Sequence, residues 1–168
     1  MALRGPDAQG VWIDRHVALG HRRLSVIDLQ GGAQPMQATS QGKALACLAY
    51  SGEVYNFVGL REDLTRRGHH FETRSDTEVV LRSYLKWGED FVDQLVGIYA
   101  FAIWDTRKQE LLLVRDRMGV KPLFYQPFGH GVLFGSEPKA ILAHPEVSAR
   151  VGIDGLRFRL YRPDRLRD

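Results

Sequence analysis

The chain has 168 residues, 44% of them hydrophobic and 26% charged, with a formal net charge of +3. That composition describes one globular domain with its own core and excludes a disordered chain. No apolar run reaches the about 18 residues that cross a bilayer, and the segment from Met1 to Asp7 lacks the apolar stretch of a signal peptide, so no membrane contact and a cytoplasmic location are expected.

Gly10-Val11-Trp12-Ile13 and Val17-Ala18-Leu19-Gly20 read as short strands around a polar turn at Asp14-Arg15. Arg23 to Asp28 alternates polar and apolar residues, then meets a turn at Gly31-Gly32. Leu45 to Tyr50 is apolar throughout, which predicts a strand buried on both faces. Within it lies Cys47, the single cysteine; it reads as a small core hydrophobe, and its solitude rules out an intramolecular disulfide and a cysteine-based zinc site. Asn56 is placed to cap a helix that carries Leu60 and Leu64 on one face and stops at Gly68. Ser75 and Glu78 have the spacing of a capping box, and Val79, Val80, Leu81, Tyr84 and Leu85 follow as a broad apolar helical face ending at Gly88. Phe91, Val92 and Leu95 suggest one more short helix.

Strands return after Gly97. Tyr99–Trp104 and Leu111–Val114 flank a polar connection, and Leu123–Tyr125 and Val132–Phe134 flank Gly129-His130-Gly131, so two hairpins are predicted. A short helix from Pro138 to Leu142 takes Ser136 as its cap. Runs of strands, then helices, then strands predict an α+β layered domain with two stacked, mainly antiparallel sheets covered by helices. The arginine-rich end, residues 155–168, reads as a basic, disordered tail, not a nucleic-acid surface, because no folded basic face accompanies it.

Composition and spacing alone go no further. There is no G-x-x-x-x-G-K-[ST] loop, no G-x-G-x-x-G, no G-x-S-x-G, and the six histidines have no metal-ligand spacing. Arg23, Ser51-Gly52-Glu53, Asp76 and Arg115-Asp116-Arg117 are polar groups set against apolar strands; each by itself reads as an ordinary ion pair or cap.

What links them is a resemblance. Arg4-Gly5-Pro6-Asp7, Arg23-Leu24-Ser25-Val26-Ile27-Asp28-Leu29, Gly31-Gly32-Ala33-Gln34-Pro35-Met36, Gly52-Glu53-Val54-Tyr55-Asn56, Ser75-Asp76-Thr77-Glu78-Val79, Phe101-Ala102-Ile103-Trp104-Asp105 and Arg115-Asp116-Arg117-Met118-Gly119-Val120-Lys121-Pro122-Leu123 resemble, in order and spacing, the class II glutamine amidotransferase domain of glutamine-hydrolysing asparagine synthetases. The resemblance covers residues 4 to about 154. It implies the four-layer α-β-β-α sandwich of N-terminal-nucleophile hydrolases. It implies release of ammonia from glutamine by an N-terminal cysteine whose own α-amine is the base. By the same resemblance Arg23 would grip the α-carboxylate of glutamine, Asp76 would hold its α-ammonium, Glu53 would be the substrate-site glutamate, and Gly52 N–H would face the oxyanion with Ser51 beside it.

The chain departs from that pattern. The family's cysteine and first strand stand upstream of R-G-P-D, whereas Met1 stands just ahead of Arg4, so the expectation is a partial amidotransferase domain at 1–154 with its first strand missing and no catalytic residue. Where the family has asparagine, this chain has Ser51, a shorter group; losing an oxyanion donor costs about 2.7–4 kcal/mol of transition-state stabilisation. No S-G-G-x-D-S loop follows, so a synthetase domain is expected to be absent, and with it ATP and magnesium; no cofactor or metal is expected in this chain. An exposed sheet edge would favour association, including a homo-oligomer. Three functions are open: a glutaminase domain of an asparagine synthetase, inactive in this form; a non-catalytic glutamine-binding or interaction domain, with a synthetase domain or chain as partner; and a remnant of a truncated gene.

Overall fold

The computed structural model describes residues 5–24, 28 and 31–150. Arg4 of the R-G-P-D segment, the alternating residues Ser25-Val26-Ile27 and the basic tail at 155–168 lie outside the described residues. In chain order the elements are β1 (Ala8–Asp14), β2 (Val17–Arg23), β3 (Met36–Ser40), β4 (Lys43–Val54), α1 (Phe57–Arg66), α2 (Asp76–Trp87), a 3₁₀ segment (Gly88–Gln94), β5 (Gly97–Asp105), β6 (Glu110–Arg115), β7 (Phe124–Phe128), β8 (Gly131–Gly135) and α3 (Pro138–Leu142).

β3, β4, β5 and β6 form an antiparallel sheet in that order, while β1–β2 and β7–β8 are separate hairpins. Side-chain parity sorts the central sheet into two cores, because successive residues of a strand face opposite sides. Leu48 and Tyr50 of β4 and Tyr99, Phe101 and Ile103 of β5 pack with Leu60 and Leu64 of α1, Val79, Val80 and Tyr84 of α2, and Phe91. The alternate residues Cys47, Ala102 and Trp104 pack with Leu19, Trp12 and Val17 of the first hairpin and Phe134 of β8. Helices therefore cover one face of the sheet and both hairpins cover the other. α3 leans on the β7–β8 hairpin. The α+β class with mainly antiparallel sheets is as expected from the sequence.

The helix ends depart from the sequence reading. α1 closes in a Schellman turn, with His69 N–H on the Leu64 carbonyl (3.0 Å), Gly68 N–H on the Thr65 carbonyl (3.0 Å) and Gly68 at φ +88°. Its Asn56 makes no cap bond. Instead the Asn56 amide donates to the Gln94 carbonyl (2.8 Å) and accepts from Val96 N–H (3.0 Å), tying the start of α1 to the end of the 3₁₀ segment and the residue ahead of β5. Ser75 does cap α2, accepting from Glu78 N–H at 3.3 Å. The Glu78 carboxylate, however, bypasses the cap and accepts from Glu72 N–H (3.0 Å) and Thr73 N–H (2.7 Å) in the preceding loop. At α3 the cap position is Glu137, without a side-chain cap bond, and not Ser136. Strand β3 has no counterpart in the sequence reading, since only Met36 and Ala38 of its five residues turn inward.

Candidate functional site

A cleft of about 670 Å³ opens between the central sheet and the two hairpins. Small residues make the room for it: Ala49 and Ser51 of β4 lie opposite Ala102 and Ala100 of β5, and all four line the cleft. The residues to which the resemblance gives a site role, Arg23, Ser51, Gly52, Glu53 and Asp76, lie on its wall, with His21, Gln34, Tyr50 and Lys121 beside them, whereas Arg115-Asp116-Arg117 do not.

The edge of β4 organises the site. β3 pairs with β4 only as far as Met36 opposite Leu48, so from Tyr50 onward one edge of β4 has no neighbouring strand among the described residues. Backbone groups two residues apart point to the same edge. Tyr50 N–H is taken by the Gln34 side-chain carbonyl (2.6 Å) and Val54 N–H by the Asp76 carboxylate (3.1 Å). Gly52 N–H lies between them in that row, without a hydrogen bond among the described residues, and Gly52 is on the cleft wall. A Cβ at Gly52 would overlap the Ile98 carbonyl and stand 2.6 Å from Tyr99 Cα, so only glycine lets β4 lie this close to β5 here.

Asp76 is the first residue of α2 and is buried. A carboxylate there is favoured by the helix N-terminus. Its Oδ2 accepts from the Tyr50 hydroxyl (2.7 Å) as well as from Val54 N–H. Arg23 ends β2 and is also buried; its Nη2 donates to the Asp28 carbonyl at 2.7 Å. Asp28 is itself pinned, its carboxylate accepting from Gly31 N–H (2.8 Å) and Arg74 N–H (2.8 Å), which ties the turn after β2 to the start of α2. Gly32 gives the guanidinium its place, since a Cβ there would overlap Arg23. The site thus carries a buried cation, a buried carboxylate and an edge N–H on one cleft.

His21 faces the same core as Leu19. Burial lowers its pKa, a hydrogen bond to the Tyr50 carbonyl partly offsets this, and the Arg23 charge lowers it again; its buried Nδ1 has no hydrogen-bond partner among the described residues. Cys47 is fully buried, and burial pushes its thiol up to about 12 against a small opposing effect of Leu48 N–H. It sits under the first hairpin and is not on the cleft wall. Arg115 and Asp116 build a turn: Arg115 Nε donates to the Lys121 carbonyl (2.7 Å), and Asp116 accepts from Val120 N–H (2.9 Å) and Lys121 N–H (3.0 Å). Among the described residues no group of three or more His, Cys, Asp or Glu side chains is gathered to hold a metal ion, and no helix is long and apolar enough to cross a membrane.

Sequence reasoning missed Tyr50, His21, Gln34 and Lys121 as cleft residues. The signal for Tyr50 was faint but present, a lone hydroxyl ending an otherwise apolar strand.

A family model described as glutamine amidotransferase domain matches residues 1–163. The chain belongs to this family. Glutamine-hydrolysing asparagine synthetase 3 of Bacillus subtilis strain 168 is 53% identical over 156 residues, covering 93% of this chain and 25% of that protein. Asparagine synthetase B of Escherichia coli K12 is 39% identical over 143 residues, covering 84% of this chain and 25% of that one. Within the family the chain is therefore homologous to the glutaminase domains of asparagine synthetases. It spans about a quarter of the length of these relatives. Among solved structures, the glutamine phosphoribosylpyrophosphate amidotransferase of B. subtilis matches with a TM-score of 0.63 and 29% identity, covering 74% of this chain and 28% of that one.

Proposed function

We propose that the cleft binds L-glutamine. Arg23 takes the α-carboxylate, for which a planar guanidinium is suited. Asp76 takes the α-ammonium. Gly52 N–H faces the carboxamide oxygen, where negative charge collects when the carbonyl is attacked, with Ser51 and Glu53 beside it. The observation that carries this reading is the edge of β4, where Gly52 N–H, with no hydrogen bond among the described residues, stands in a row between two N–H groups taken by side chains. In the relatives the matching region is part of an asparagine synthetase. With a nucleophile supplied, the corresponding role here is to deliver ammonia from glutamine to a synthetase domain or chain that would supply the ATP and magnesium chemistry.

Recognition and hydrolysis are separable in these 168 residues. Attack on the amide needs an accessible thiolate or an equivalent nucleophile. Cys47 is buried away from the cleft with its thiol at about 12, so it does not serve. The expected outcome is glutamine binding without turnover. Calorimetry and thermal shift with millimolar glutamine test the first part, and an ammonia-release assay tests the second. Absence of heat and of stabilisation would refute the binding role. Loss of the signal in Arg23→Ala and Asp76→Ala would support it.

A further inference from the structure

We infer that Tyr50 is a positioning residue for the recognition of the α-ammonium group, acting through Asp76. This rests on the reading of the cleft as a glutamine site. The Asp76 carboxylate uses one oxygen for the protein: Oδ2 accepts from both the Tyr50 hydroxyl at 2.7 Å and Val54 N–H at 3.1 Å. Among the described residues no hydrogen bond reaches Oδ1, and Asp76 lies on the cleft wall. Two donors on one oxygen fix the plane of the carboxylate and leave the other oxygen for a cation.

The hydroxyl is held in turn by the core. The Tyr50 ring is 3% exposed and packs at 6.2 Å from Phe101, which lies 5.8 Å from Phe91 and 5.5 Å from Tyr99. An aromatic cluster of this kind holds the ring, and with it the donor, in one place. Burial, and then the neighbouring Asp76 charge and hydrogen bond, push the phenol pKa up, so Tyr50 keeps its proton and Asp76 stays the acceptor. The geometry links the apolar core to the charge that meets the ligand. An aspartate at a helix start without this partner could turn about its side-chain torsions.

The test is Tyr50→Phe in the full chain, with binding of L-glutamine and of glutaramate measured side by side. Glutaramate keeps the carboxamide and carboxylate but has no α-ammonium for Asp76 to meet. Phenylalanine keeps the ring packing and deletes the donor. Removing a hydrogen bond to a charged group predicts glutamine affinity about tenfold weaker, with glutaramate affinity unchanged. Equal weakening of both ligands, or of neither, overturns the inference while leaving the glutamine site standing. A wild-type chain that binds no glutamine overturns the underlying reading and the inference with it. Should Tyr50→Phe fail to fold, the wild-type protein carries the test. The buried Tyr50 hydroxyl proton is expected as a slowly exchanging NMR resonance that shifts with glutamine and not with glutaramate. A hydroxyl in fast exchange overturns the proposal.

Discussion

A close approach in the sheet gives the sharpest prediction. Gly52→Ala places a methyl on the Ile98 carbonyl and 2.6 Å from Tyr99 Cα, both backbone atoms of β5. Backbone cannot swing aside as a side-chain end can, so β4 and β5 must part around the Gly52–Tyr99 pair. Overpacking of a well-filled interior costs typically 1–3 kcal/mol, and a clash with backbone belongs at the upper end, about 3 kcal/mol. For a domain of this size that corresponds to a melting temperature lower by about 6–12 °C. Gly59→Ala is the internal control. Gly59 sits on the exposed side of α1, and a Cβ there would meet nothing within 4 Å. The same added methyl should raise stability by about 0.5–1 kcal/mol, because alanine outranks glycine within a helix. Urea unfolding of the three chains, compared through midpoint and slope, reads both effects. If the two substitutions change stability in the same direction, the close-approach reasoning is wrong.

Further expectations concern the site and the core. Gly32→Ala intrudes on the far end of a flexible side chain, the Arg23 guanidinium, so glutamine affinity should fall about tenfold or more while the melting temperature changes little; calorimetry beside a thermal melt checks this. Asp105 is buried at the β5–β6 turn; burial raises its pKa, but hydrogen bonds from Arg107, Tyr84 and the backbone outweigh this and hold it at about 2, against an ordinary 3.8. Its folded pKa is depressed, so its contribution is complete above about pH 4 and fades as the pH falls toward 2. The gap corresponds to at most about 2.5 kcal/mol, and solvent at the 45%-exposed Arg107 brings it to about 1–2 kcal/mol. Asp105→Asn should lower stability by that amount at pH 7 and flatten the acid limb of a stability–pH curve. A thiol at about 12 instead of 9.0 implies about a thousandfold less thiolate at pH 8, so Cys47 should react far more slowly in the native chain than in urea. Cys47→Ala should leave glutamine binding unchanged.

Arg23, Ser51-Gly52-Glu53 and Asp76 stand in motifs with fixed spacing, and the structure brings all of them to one cleft. Hydrophobic runs fixed β4 and β5, whose opposite faces both meet apolar layers. What escaped depends on pairings distant in sequence. Asn56 reads as a cap, but its amide is spent on Gln94 and Val96, some 40 residues away. Glu78 reads as half of a capping box, yet the loop ahead of Ser75 offers it unpaired N–H groups that the cap does not need. Strand β3 carries Gln37 and Ser40, which give little strand signal without β4 beside them, and Thr39 is its one β-branched residue. Tyr50 reads as core, and it is core; its second task appears only once α2 brings Asp76 to its hydroxyl.

The location of the site follows from a mismatch in length. β4 has 12 residues and β3 has 5, so β3 leaves the second half of β4 without a partner along one edge. A buried edge cannot leave its N–H groups unsatisfied at no cost. Gln34 and Asp76 satisfy two of them with side chains, which draws a carboxylate to the sheet and anchors the start of α2. Gly52, between them, cannot be covered by its own side chain and cannot acquire one without separating the strands. The exposure of this N–H follows from the way β4 is paired, and under the proposed reading a ligand carbonyl would complete the row.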